Sequence, residues 1–117
     1  MRVLIVDDND RMRQLIRGLI TDLAEEIDER SDGAQALTAY AASRPDWVLM
    51  DLSMKDVNGL TATRQIRAAF PAVKIIIVTS YDDPYLRQEA LSAGACGYVV
   101  KANLLELRRL LTESSGG

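Results

Sequence analysis

The chain has 117 residues, 48% of them hydrophobic, with a formal net charge of −3 and a pI near 4.9. That length predicts one domain with a real core, and the acidic balance leaves no basic footprint through which this segment would bind nucleic acid. A single cysteine, Cys96, excludes an internal disulfide, and the lack of histidine excludes His-based metal or acid–base chemistry.

Val3–Val6 reads as a first strand, running into Asp7-Asp8-Asn9-Asp10, where Asn9 or Asp10 suits a helix cap. Met12, Leu15, Ile16, Leu19, Ile20 and Leu23 then recur at three- and four-residue steps, which predicts one buried face of a helix. Glu25–Arg30 alternates charge around Ile27, as a short exposed strand near a sheet edge does, and Ser31-Asp32-Gly33 is a turn and cap. A helix over Ala34–Ser43 follows, with Leu37, Tyr40 and Ala41 on its inner side, and Pro45 stops it. Trp47–Met50 is apolar throughout, the pattern of a central parallel strand covered on both faces, and it ends in Asp51. The 52–58 loop leads through Asn58-Gly59 into a helix over Leu60–Phe70, closed by Pro71. Lys74–Val78 is a fourth strand ending in Thr79-Ser80. Asp83-Pro84 opens a helix with Leu86, Ala90 and Ala93 inward and Gly94 at its end. Tyr98–Val100 is a fifth strand ending in Lys101. Asn103 is expected to cap a last helix carrying Leu104, Leu107 and Leu111, before a linker-like Ser114–Gly117 tail.

Strands alternating with helices call for a parallel sheet with helices on both faces. In such sheets ligands gather at the carboxyl ends of the strands. That edge would collect Asp7, Asp8 and Asp51 with Thr79 and Lys101. Three carboxylates within about 4–5 Å repel by a few kcal/mol per pair at an effective dielectric near 20, so the cluster wants a cation. Hard oxygen donors suit Mg²⁺, and a carboxylate beside Mg²⁺ can attack a phosphoryl group. Asp51 is then the candidate nucleophile, Asp7 and Asp8 hold metal, Lys101 is the counter-charge and Thr79 the hydroxyl donor. Each residue alone is unremarkable: Asp-Asp pairs cap helices, and Thr79 and Lys101 are ordinary strand-end residues. Their conjunction at successive strand ends is what is specific.

These residues stand in Val6-Asp7-Asp8, Met50-Asp51-Leu52-Ser53-Met54 with Asn58-Gly59-Leu60, Val78-Thr79-Ser80, and Gly94-Ala95-Cys96-Gly97-Tyr98-Val99-Val100-Lys101. The set, spanning essentially the whole chain, resembles the receiver domain of two-component response regulators, and the last stretch looks like the NarL/LuxR type. The resemblance implies a flavodoxin-like (βα)5 fold over residues 1–113, phosphorylation of Asp51 by a histidine kinase, and no small-molecule substrate. It implies Mg²⁺ on Asp8, Asp51 and the backbone carbonyl of Ser53, with Asp7 acting mainly through water. Thr79 and Lys101 would contact the phosphoryl oxygens, and Tyr98 would be a switch aromatic that turns inward as Thr79 moves toward the phosphate. Output is implied through a DNA-binding helix-turn-helix outside this chain, with a possible homodimer on the surface of the fourth helix, fifth strand and fifth helix, where Arg108-Arg109 are secondary candidates. Two departures are visible: Lys55 and Ala102 stand where many receivers have proline, so the Lys101–Ala102 bond is expected to be trans.

A free-standing receiver signalling by protein contact is the alternative. A Mg²⁺ phosphatase usually has a second acid where this chain has Ser53, and a flavodoxin-like cofactor site would not follow its first strand with four acidic or amide residues. Cys96 is expected to be buried or half-buried and inert, and Trp47 to be a packing residue. No apolar stretch reaches membrane-span length, and a strand starting at Arg2 leaves no room for a signal peptide. A cytoplasmic location is the expectation.

Overall fold

The structure, a computed structural model, describes residues 1–54 and 56–115. Five strands, β1 (Arg2–Val6), β2 (Glu26–Arg30), β3 (Trp47–Met50), β4 (Ile75–Thr79) and β5 (Gly97–Val100), pair in parallel in the order β2-β1-β3-β4-β5. They alternate with α1 (Asp10–Ile20), α2 (Ala36–Ser43), α3 (Gly59–Ala69), α4 (Pro84–Ala93) and α5 (Leu105–Ser115).

Successive side chains of a strand point to opposite faces, and this alternation divides the core into two layers. Leu4, Val6, Val48, Met50, Ile75 and Ile77 pack with Ala39 and Tyr40 of α2, Ile66 of α3 and Ala90 of α4. Val3, Ile5, Leu49, Ile76 and Val78 pack with Ile16 and Ile20 of α1 and Leu107 and Leu111 of α5. Both faces are covered, so the central strands read as unbroken apolar runs. Trp47 is a core residue, 3% exposed, with the Lys74 ammonium 4.4 Å from its ring centre.

Local chemistry fixes the boundaries. Asn9, Asn58 and Asp83 each accept a backbone N–H from the first turn of α1, α3 and α4. Gly94 ends α4 at φ 111°, a conformation only glycine adopts without strain. β2 is an edge strand, as its mixed charge indicates, with β5 at the other edge, and it is tied to α1 through Glu29, whose carboxylate accepts from Arg13 at 3.2 Å and Arg17 at 2.8 Å.

Several expectations are corrected. Leu15 is 51% exposed, because α1 ends at Ile20 and its buried stripe is Ile16–Ile20 flanked by half-buried Met12 and Leu19. Residues 33–35 form a 3-10 turn capped by Asp32, so α2 begins at Ala36, and its inner face is Ala36, Ala39 and Tyr40 with Ala41 outside. Asn103 lies within a 3-10 turn, Lys101–Asn103, rather than capping α5. The backbone of Ser114 and Ser115 continues α5, whereas Gly116 and Gly117 lie outside the described residues. Cys96 is exposed, one residue before β5 begins.

Candidate functional site

The strand order reverses direction between β1 and β3, the switch point where doubly wound sheets open a crevice. Val6 is in register with Met50, so Asp7 and Asp51 are the next residues out on adjacent strands. The Asp51 N–H donates to the Val6 carbonyl at 2.9 Å, locking that alignment. On the other side Thr79 is paired with Val100, which places Lys101 one step beyond. The sheet register alone therefore converges all four positions.

The acids meet as the sequence predicts. Oxygens of Asp7, Asp8 and Asp51 lie within 4.8 Å of one another, with Asp7 and Asp51 buried and Asp8 exposed. The Lys101 ammonium reaches across β3, 3.0 Å from Asp7 Oδ2 and 3.4 Å from Asp51 Oδ1. Burial, then the negative charge of Asp7, pushes the Asp51 carboxyl up from 3.8 to about 6, with Lys101 opposing and Asp8 adding to the rise. Burial acts to lower the Lys101 ammonium, but pairing with Asp7 and Asp51 outweighs it and the pKa is raised.

One cation cannot balance three carboxylates. Asp7 Oδ2 is sealed from solvent and accepts no hydrogen bond of good geometry, its cationic neighbour being Lys101. A buried carboxylate oxygen with Lys101 as its neighbouring cation, beside two more carboxylates and an open side at Asp8, belongs to a donor set of hard oxygens that fits Mg²⁺.

Thr79 is fully buried, and its Oγ1 accepts from the Tyr81 N–H at 3.3 Å. The Tyr81 carbonyl accepts from the Tyr98 hydroxyl at 2.6 Å. A single residue, Tyr81, thus joins the hydroxyl at the end of β4 to the aromatic of β5. Tyr98 is 5% exposed, its ring packed in the layer under α4, with the Arg87 guanidinium 4.7 Å from the ring centre. Burial raises the phenol's pKa, with Arg87 opposing, so the group stays a donor at neutral pH.

Ser53 is exposed in the loop after β3, and Lys55 lies outside the described residues. The Lys101–Ala102 peptide bond is trans. Arg108 is not simply solvated: it donates to the Leu19 carbonyl at 2.5 Å and to Asp22, tying α5 to α1. Arg109 is exposed and paired with Glu106 and Glu113.

Two residues were not singled out by the sequence. Arg13 is only 14% exposed, and its Nη1 donates to the Asp7 carbonyl at 2.5 Å. Tyr81 acts through its backbone, which no side-chain pattern announces. Gly59 has a third, simpler role: a Cβ there would collide with the Asp51 carbonyl oxygen, so the start of α3 can approach the strand end only as glycine.

The comparisons with known proteins agree with this geometry. The family model "Response regulator receiver domain" matches residues 3–112. The chain is 37% identical over 101 residues to the chemotaxis protein CheY of Thermotoga maritima, covering 86% of this chain and 84% of that one. It is 34% identical over 122 residues to the transcriptional regulatory protein LnrK of Bacillus subtilis, covering all of this chain but 55% of LnrK. The chain also spans about half of the response regulator GacA of Pseudomonas viridiflava, 51% of its length. A LuxR-family two-component response regulator from Aurantimonas superposes with a TM-score of 0.84 at 33% identity, covering 96% of this chain and 85% of that one. The buried aspartates at the switch point, the lysine that bridges two of them and the match over nearly the full length have one meaning: this chain belongs to the receiver domain family of two-component response regulators.

Proposed function

We propose that Asp51 accepts a phosphoryl group from the phosphohistidine of a histidine kinase, and that residues 1–113 are the unit that does so. The observation that carries this reading is the buried Asp51 carboxylate, set beside Asp7 and Asp8 with Lys101 at 3.4 Å. With its pKa near 6, Asp51 is largely ionised at neutral pH yet poorly solvated, a state suited to attack. One Asp51 oxygen forms the new O–P bond, the P–N bond to the imidazole breaks, and the histidine nitrogen keeps the electron pair. Asp8, Asp51 and the Ser53 carbonyl would hold Mg²⁺, with Asp7 bound through water; when bound, the ion neutralises charge on the transferring group. Lys101 carries the second positive charge to the phosphoryl oxygens. No separate substrate pocket is needed for this, so we read the chain as a phosphoacceptor rather than an enzyme.

Output follows from competition for Thr79. A phosphoryl oxygen on Asp51 accepts from the Thr79 hydroxyl and draws it away from the Tyr81 N–H. The Tyr81 peptide, which also receives the Tyr98 hydroxyl, must then readjust. A charge-assisted hydrogen bond contributes about 1.5–3 kcal/mol, whereas moving a population from 1:99 to 99:1 takes about 5.5. Thr79, Lys101 and the metal therefore act together, or the resting protein already samples the active state. Tyr98 is already inward in this structure, which supports the second possibility.

The readout we favour is transcription through a helix-turn-helix outside this chain, supported by relatives such as LnrK that are about twice as long. The match across most of a CheY favours the second reading, a free-standing receiver that signals by contact, with the α4–β5–α5 face available for a homodimer. Among the described residues no helix is long and apolar enough to cross a membrane, in keeping with a cytoplasmic role. Intact mass after incubation with acetyl phosphate and Mg²⁺ tests the core claim. One added phosphoryl group on the parent and none on Asp51→Asn is expected; equal labelling of both would relocate the acceptor.

A further inference from the structure

We infer that Arg13 is a positioning residue for the metal-binding acids, acting through the backbone of Asp7. This rests on the Mg²⁺ reading above and extends it to a residue outside the acid, hydroxyl and lysine set.

The Asp8 carboxylate is exposed, and among the described residues no side chain or backbone group holds it. Its direction must come from the peptide that carries it. That peptide begins at the Asp7 carbonyl, and the carbonyl is gripped by Arg13 Nη1 at 2.5 Å. The other two nitrogens of the guanidinium are bonded as well, Nε to Glu29 Oε1 at 3.2 Å and Nη2 to Asp10 Oδ1. A planar guanidinium with three acceptors has one orientation, so the carbonyl it holds has one orientation too. The strand side is pinned independently by the Asp7 N–H on the Arg30 carbonyl at 3.1 Å, and the carboxylate of Asp7 accepts from the Asn9 N–H at 2.9 Å. Arg13 thus closes the one free end of the Asp7–Asp8 unit. Its charge is balanced by Glu29 and Asp10, so it does not compete with Mg²⁺ for the site acids.

A merely structural tie between α1 and β2 would behave differently, and Arg17 supplies the control. Arg17 also bonds Glu29, at 2.8 Å, and the Ile27 carbonyl at 3.0 Å, but it does not touch Asp7. The experiment is a Mg²⁺ titration of the metal-free protein followed by the amide resonances of Asp8 and Asn9, for the parent, Arg13→Gln, Arg13→Lys and Arg17→Gln. Groups that orient metal ligands typically change affinity about 10–100-fold. The expected result is a roughly tenfold weaker Mg²⁺ affinity for Arg13→Gln, a partial recovery in Arg13→Lys, and Arg17→Gln within about twofold of the parent. Arg13→Lys keeps the stem and charge, so it carries the same test if the glutamine variant does not fold. Parent-like affinity in the Arg13 variants, or an equal loss in Arg17→Gln, overturns the inference while leaving the metal site standing. A parent that binds no Mg²⁺ overturns the metal reading and this one with it.

Discussion

The Lys101 ammonium sits closer to Asp7 than to Asp51, 3.0 Å against 3.4 Å. The cation proposed to greet the phosphoryl group is held mainly by the neighbour of the acceptor, in a pocket where both acids are at most 5% exposed. Removing it leaves two buried carboxylates facing each other. Breaking a buried ion pair costs up to about 3–5 kcal/mol, and Asp51 can relieve part of this by taking a proton. Lys101→Met is therefore expected to lose about 1–3 kcal/mol in the absence of metal, more at pH 8 than at pH 5. Mg²⁺ should restore more stability to the variant than to the parent, which urea titrations with and without the ion will show. A loss independent of both pH and metal would mean that the lysine is packing rather than counter-charge.

Asp51 itself should weaken the metal-free fold at neutral pH. Its folded pKa, about 6, lies above the ordinary 3.8. A group shifted in this direction stabilises the fold only while protonated; the contribution is complete below about pH 4 and is lost as pH rises through about 6. The penalty at pH 8 is on the order of 1–3 kcal/mol. Asp51→Asn should accordingly melt higher than the parent in EDTA at pH 8, and the gap should close as the pH approaches 4. An advantage that grows on acidification has the wrong sign for this account.

The acids, the hydroxyl and the lysine were legible because each ends an apolar run, and period and register then fix where they go. The edge position of β2 was legible from its mixed charge for the same reason. Arg13 was not, because it works on a backbone carbonyl brought to it by the turn between Asp7 and Asp10, and an arginine on a helix reads as solvated. Leu15 misled because it sits three residues after Met12 and four before Leu19, which are themselves only half-buried, while the helix is rotated so that Ile16 and Ile20 face the sheet. Cys96 was expected to be buried or half-buried as a small residue with nothing beside it to activate the thiol, yet it falls in the link before β5, outside the pleat that would have turned it inward.

Tyr81 should couple Thr79 to Tyr98 energetically. Its N–H and its carbonyl serve the two side chains, at 3.3 Å and 2.6 Å. Tyr98→Phe removes one bond and is expected to cost about 1 kcal/mol. Thr79→Ala should still accept phosphate on Asp51 but shift its conformation less. Residues sharing a partner depart from additivity by about 0.5 kcal/mol or more. A double-mutant cycle in stability is thus expected to show a coupling of that size, and strict additivity would remove Tyr81 as the link.

Two glycines in helices should respond to alanine with opposite signs. Gly18, in the last turn of α1, has nothing within 4 Å of an added Cβ. Alanine there limits the unfolded chain and suits the helix, so Gly18→Ala should stabilise by about 0.4–1 kcal/mol. At Gly59 the added methyl would fall on the backbone of Asp51 and Leu52, which cannot swing aside as a side-chain tip can. The Gly59 N–H also holds the Leu52 carbonyl at 2.9 Å, so any retreat of α3 breaks that bond as well. Gly59→Ala is expected to destabilise by about 1–3 kcal/mol or more. Because the strain falls on the acceptor's own peptide, phosphorylation by acetyl phosphate should slow beyond what the unfolded fraction explains. Denaturation curves give the first quantity and mass spectrometry against time the second. A Gly59→Ala protein as stable and as readily phosphorylated as the parent would show that α3 does not need its close approach to Asp51.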